Sequence, residues 1–175
     1  CTAHGRGIIV ERPARARCHV ERVSISQSKA LGASPADHGG IVCTILEFWN
    51  KNGYIVVKNA ISKSDCEATQ QAIWDYLEMK PDQKETWYKR HPEQKGLMLN
   101  FSEHETLNKN RFSPKIKKAY EQLYNSAEIY KTIDKVSFNP PENEEFIFLG
   151  SGLHWDTSLK QPIVFGLQGL LYLTD

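Results

Sequence analysis

The pair Ser113-Pro114 opens the stretch that most constrains this chain. A serine ahead of proline marks a helix start, because the serine side chain accepts from an orphan backbone N–H and proline lacks a donor that the first turn could not use. From there Ile116, Ala119, Tyr120, Leu123, Ala127, Tyr130 and Ile133 recur at helical intervals. Such spacing gathers apolar groups along one side of a helix reaching Ile133, and a stripe of that length has to be buried against another element. A sheet is the expected partner, since the sequence that follows changes its period to two.

Lys135-Val136-Ser137-Phe138-Asn139 alternates as a strand does, and Pro140-Pro141 ends it by removing ladder donors. A polar turn from Glu142 to Glu145 leads into the apolar run Phe146-Ile147-Phe148-Leu149. The last run, Ile163 to Leu173, is β-prone despite Gly166 and Gly169 and reads as a core strand. Upstream, Ile41, Val42, Ile45, Leu46 and Trp49 predict a helix stopped by Gly53. Tyr54-Ile55-Val56-Val57 predicts a short strand. Ser64 and Glu67 have the spacing of a capping box for a second helix that carries Cys66, Ile73, Tyr76 and Leu77 and ends near Pro81. Residues 81–111 are polar and broken, with Trp87, Tyr88, Leu97, Met98, Leu99 and Phe101 as anchors and His91 and His104 as surface histidines. Helices ahead of a set of short strands indicate an α+β fold.

A chain of 175 residues accommodates one domain with a core. Its 25% charged content and mean hydropathy of -0.51 exclude fibrous and membrane classes. No apolar run reaches bilayer-spanning length and no signal-peptide pattern opens the chain, so the expected location is cytoplasmic. A formal charge of +1 gives no reason to expect nucleic acid. Arg6, Arg12, Arg15, Arg17 and Arg22 cluster early, without interleaved aromatic residues. Together with Pro13, Pro35 and Gly39-Gly40, this makes residues 1–40 read as a basic disordered leader ahead of a folded 41–175 portion. Cys1, Cys18, Cys43 and Cys66 contain no CxxC pair and fit reduced thiols rather than a disulfide framework. The start at Cys1 and the end at Asp175, inside strand-like sequence, read as a piece of a longer protein.

One stretch carries chemistry. In Ser151-Gly152-Leu153-His154-Trp155-Asp156 an extended backbone puts His154 and Asp156 on one face and Trp155 on the other. An imidazole and a carboxylate are two-thirds of the 2-His-1-carboxylate triad that leaves positions open on non-haem Fe(II). The spacing by itself equally fits a strand-end histidine and aspartate bonded to backbone and water.

The wider text is more specific. Gly152-Leu153-His154-Trp155-Asp156-Thr157-Ser158, then Pro162, then Phe165-Gly166-Leu167-Gln168-Gly169-Leu170-Leu171-Tyr172-Leu173-Thr174-Asp175 resembles the phytanoyl-CoA dioxygenase-like family of Fe(II)/2-oxoglutarate oxygenases. Phe48 to Val57 looks like that family's N-terminal opening. The resemblance implies a double-stranded β-helix, a cupin-like jelly-roll with packing helices, incomplete at its C-terminal side. It implies that His154 and Asp156 bind Fe(II), with 2-oxoglutarate as cosubstrate and O₂ and a small organic molecule as the reacting partners. A second iron histidine and a 2-oxoglutarate-binding arginine follow in the family, whereas here no histidine follows His154 and no arginine follows Arg111. Leu170 takes the place of a tryptophan near the family's iron pocket, and Gln168, Leu170 and Tyr172 are expected to line that pocket from one strand face. Ser137 and Asn139 are expected to approach the cofactor from the preceding strand, with strand-end polarity as the alternative. The competing readings are a non-catalytic jelly-roll interaction module and an inactive fragment.

Overall fold

The computed structural model describes residues 17–21, 25–27, 41–132, 135–147, 158–162 and 166–174. In chain order these form β1 (Arg17–Glu21), β2 (Ile25–Gln27), α1 (Ile41–Asn52), α2 (Lys63–Leu77), β3 (Gln94–Lys95), β4 (Met98–Leu99), α3 (Glu105–Arg111), α4 (Pro114–Tyr124), β5 (Ile129–Lys131), β6 (Lys135–Asn139) and β7 (Leu170–Tyr172). A short 3-10 turn, Lys84–Thr86, follows α2.

Local chemistry accounts for the helix ends. α1 stops at Gly53, whose φ of 78° only glycine adopts without strain and whose N–H bonds Trp49 O. α2 starts from Ser62 rather than Ser64: the Ser62 Oγ accepts from Asp65 N at 3.1 Å and donates to Asp65 Oδ2 at 2.7 Å. Asp65 is also paired with Lys109 of α3, and these two contacts, Lys109 first, hold its carboxyl below the usual range. α2 ends at Glu78 in the left-handed region, with φ 55°. α4 begins at Ser113-Pro114 with proline in its first turn as the sequence predicts, but Ser113 makes no side-chain cap bond, and Asn125 turns left-handed at φ 50° and closes the helix. The expected continuation through Ala127, Tyr130 and Ile133 is therefore cut short, and Tyr130 belongs to β5 instead. Residues 81–111 hold more order than their composition suggests: Trp87, Leu99 and Phe101 are buried anchors, and α3 is capped by His104 Nδ1, which accepts from Thr106 N at 3.3 Å.

Five strands form an antiparallel sheet in the order β3-β4-β6-β1-β7, and β2 and β5 make a separate antiparallel ribbon. Three strands, β6, β1 and β7, make its main body, since β3 and β4 have two residues each. Leu99, Val136 and Leu171 fall in one cross-strand row through Val20 and are all buried. α2 covers this side of the sheet. Trp74 meets Phe138 edge to face at 5.3 Å and lies 5.8 Å from Trp87, while Ile73 and Leu77 complete the core.

This topology overturns the double-stranded β-helix, and with it the jelly-roll character expected of a phytanoyl-CoA dioxygenase-like chain. Among the described residues β3 and β7 are opposite edges of one open sheet, neither paired with the other nor curled onto a second sheet. The physical reason lies in what buries the apolar row. Helix α2 supplies Ile73, Trp74 and Leu77 where a jelly-roll would place a facing sheet. Tyr54 to Val57 is extended without being a strand, and the expected core strand from Ile163 contracts to Leu170–Tyr172 within the described residues. No described helix is long and apolar enough to cross a membrane.

Two substitutions probe this account. Phe138→Ala is expected to cost about 3–5 kcal/mol in denaturant unfolding through the cavity it leaves beneath Trp74. Glu78→Gly, which relieves a left-handed residue on an exposed helix end, is expected to stabilise by about 1 kcal/mol in the same measurement.

Candidate functional site

A cleft of about 860 Å³ opens beside β7. One wall is the continuous stretch Leu167 to Thr174, the other is Ile55 to Ala60, and α4 supplies Ile116, Ala119, Tyr120 and Leu123. Trp49 of α1 and Cys66 of α2 complete the lining. Its size falls within the range of about 300–1,000 Å³ typical of small-molecule sites. Among the described residues of this lining Lys58 is the charged one and there is no aspartate or glutamate.

The walls are held by hydrogen bonds from both helical neighbours. Leu167 N donates to Tyr124 Oη at 3.1 Å, and Cys66 Sγ and Gln70 Nε2 donate to Leu173 O. On the other side Ser113 Oγ donates to Ala60 O, tying the start of α4 to the end of the 55–60 segment. Burial, then the neighbouring Tyr124, pushes the Tyr120 phenol well above its ordinary range. Tyr124 is raised too, mainly by burial, with the Leu167 N–H opposing. Both phenols are therefore neutral through the physiological range.

Gln168, Leu170 and Tyr172 line the cleft, whereas Ser137 and Asn139 lie on β6 and do not. The sheet register nevertheless relates the two groups. Ser137 and Tyr172 oppose His19 from its two sides, and Lys135 and Leu170 oppose Glu21 in the same way. Residues directly opposite across strands share a face, so Ser137, Asn139, Leu170 and Tyr172 lie on the sheet face turned away from Val136, Phe138 and Leu171. Ser137 and Tyr172 are two strand spacings apart, on the order of 10 Å. Gln168 lies beyond the described end of β7. Ser137 Oγ and Asn139 Oδ1 are buried without a hydrogen-bond partner among the described residues. An unpartnered buried oxygen is costly, on the order of 1–3 kcal/mol, which makes this pair conspicuous in the middle of a sheet.

His154 and Asp156, the residues assigned to iron, lie outside the described residues. The helical wall of the cleft did not announce itself in the sequence: Ala119, Tyr120 and Leu123 belong to the stripe read as packing. The usable signal is the width of that stripe, since α4 buries Ile116, Tyr120 and Tyr124 while Ala119 and Leu123 keep partial exposure. Compared with family models, with curated proteins and with solved structures, the chain matches none.

The raised phenols give a pH test. A tyrosine whose folded pKa exceeds its unfolded value near 10.0 contributes stability that is complete below that pH and lost as pH rises above it. Urea midpoints measured between about pH 8 and pH 11 should fall at the alkaline end, and Tyr120→Phe should flatten that fall.

Proposed function

We propose that this chain is part of an Fe(II)- and 2-oxoglutarate-dependent oxygenase that hydroxylates a small organic substrate, with His154 and Asp156 as two of the iron ligands. What supports the reading in the sequence is the resemblance of the text around His154 and Asp156 to the phytanoyl-CoA dioxygenase-like family. The structural observation that carries it is the shared sheet face of Ser137, Asn139, Leu170 and Tyr172, with two buried oxygens on it left without partners among the described residues. The reading rests on these residues and not on a jelly-roll.

Ser137 fits such a cofactor in its chemistry, since its Oγ is a hydroxyl able to donate to a carboxylate oxygen, whereas Asn139 Oδ1 only accepts and 2-oxoglutarate has no donor to give it. When bound, iron with 2-oxoglutarate supplies oxidative decarboxylation to succinate and CO₂ coupled to hydroxylation of a substrate C–H bond. For its part His154 must be neutral to offer a ring nitrogen, with the other nitrogen oriented by a partner, and Asp156 must be ionised. Ser137 then serves to orient a carboxylate of the cofactor and Asn139 to accept from a donor beside it, while Gln168, Leu170 and Tyr172 shape the adjoining cleft and exclude water from it. We place the protein in the cytoplasm, where scattered cysteines stay reduced.

The test is Fe(II)-dependent release of succinate from 2-oxoglutarate by the protein that contains this chain. His154→Ala and Asp156→Ala are each expected to abolish turnover, and Ser137→Ala to raise the 2-oxoglutarate KM about tenfold through the loss of one charge-assisted hydrogen bond. Undiminished turnover in both ligand variants would remove the site assignment.

A further inference from the structure

We propose that the cleft between β7 and α4 binds an apolar organic carboxylate, with its flat hydrophobic body against α4 and its charged end at Lys58. Three observations carry this. The walls contributed by Ile116, Ala119, Leu123 and Leu167 are hydrocarbon, so a ligand gains chiefly by leaving water. Trp49 and Tyr172 add aromatic rings, which favour planar bodies over branched polar ones. Among the described residues of the lining the formal charge is that of one lysine, Lys58, which gives an anion a partner and repels a cation.

A second copy of the chain is a poor occupant. A stable dimer buries on the order of 800 Å² on each partner, more than the surface this cleft exposes. Amino-acid-like zwitterions are disfavoured for a different reason, because their ammonium group meets Lys58 and no acidic partner among the described residues of the lining. The inference rests on the oxygenase reading only where it makes the ligand a substrate. Binding itself requires neither iron nor 2-oxoglutarate.

The test is calorimetric titration of the full chain with naphthalene-2-carboxylate and with its neutral counterpart naphthalene-2-methanol, both in chelator to keep iron out. Saturable binding of both is expected, the acid about three- to five-fold tighter, as an exposed ion pair allows. Lys58→Gln, an exposed position, should abolish that preference while leaving the alcohol unchanged. Ala119→Trp should fill the cleft and abolish binding of both probes. Equal affinity for acid and alcohol in the unmodified chain, or undiminished binding by Ala119→Trp, would overturn the proposal. A concentration-dependent dimer in light scattering that Ala119→Trp dissolves would also overturn it, in favour of a second copy. Loss of succinate production with retained probe binding would reject the oxygenase reading alone.

Discussion

The contact of Trp74 with Phe138 joins the two halves of this molecule, because it is where the helical layer meets the sheet. Phe138 lies on β6, beside Val136, and both are almost completely removed from water. Trp74 reaches them from α2 and also rests against Trp87, whose Nε1 donates to Lys80 O at 2.8 Å. Large rings dominate a core of this size, each removing on the order of 150–250 Å² from water. Alternation along β6 then decides everything on the other face: burying 136 and 138 against the helix necessarily turns 137 and 139 away from it. That Ser137 and Asn139 share the face away from the helix is thus a geometric consequence of how α2 is seated.

Much of this was legible in the sequence because it depends on short-range chemistry. β6 appears over the same five residues that its alternation predicts, since period-two patterning and the Pro140-Pro141 stop are both local. Ser113-Pro114 starts α4 for the same reason. What failed was the reading of ends and of partners. Asn125 ended a helix whose apolar stripe continued past it, because a left-handed residue can satisfy the last carbonyls more readily than the next turn can. Ser62 took the capping role from Ser64, although both hydroxyls lie within hydrogen-bond range of each other. The incomplete jelly-roll expected from the resemblance depended on which strands pair. That is a property of tertiary contacts, and no single stretch of sequence carries it.

The candidate site divides along the same line. Strand parity singled out Gln168, Leu170 and Tyr172, whereas the cleft is lined by the whole stretch from Leu167 to Thr174, both parities included. The opposite wall, from Ile55 to Ala60, carries no unusual residue type, and the cleft exists because Ser113 and Tyr124 fasten two distant segments to α4. Charge complements this geometry. Among the described residues of the lining Lys58 is the one formally charged side chain and the Tyr120 phenol is neutral, an arrangement that belongs to the assembled walls and to no motif.

The position of β1 in the sheet has a consequence for how the chain reaches this structure. Glu21 pairs with Lys135 on one side and with Leu170 on the other, so β1 must await partners that lie far along the chain from it. Loops of such length carry a large closure entropy, and sheets dominated by distant pairings form slowly. α2, α3 and the Trp74–Trp87 contact are close in sequence and can assemble while the ribosome is still working. Until Tyr172 has emerged, the strand carrying His19 lacks one of its two neighbours, and an exposed strand edge is what a chaperone or a second nascent chain would recognise first.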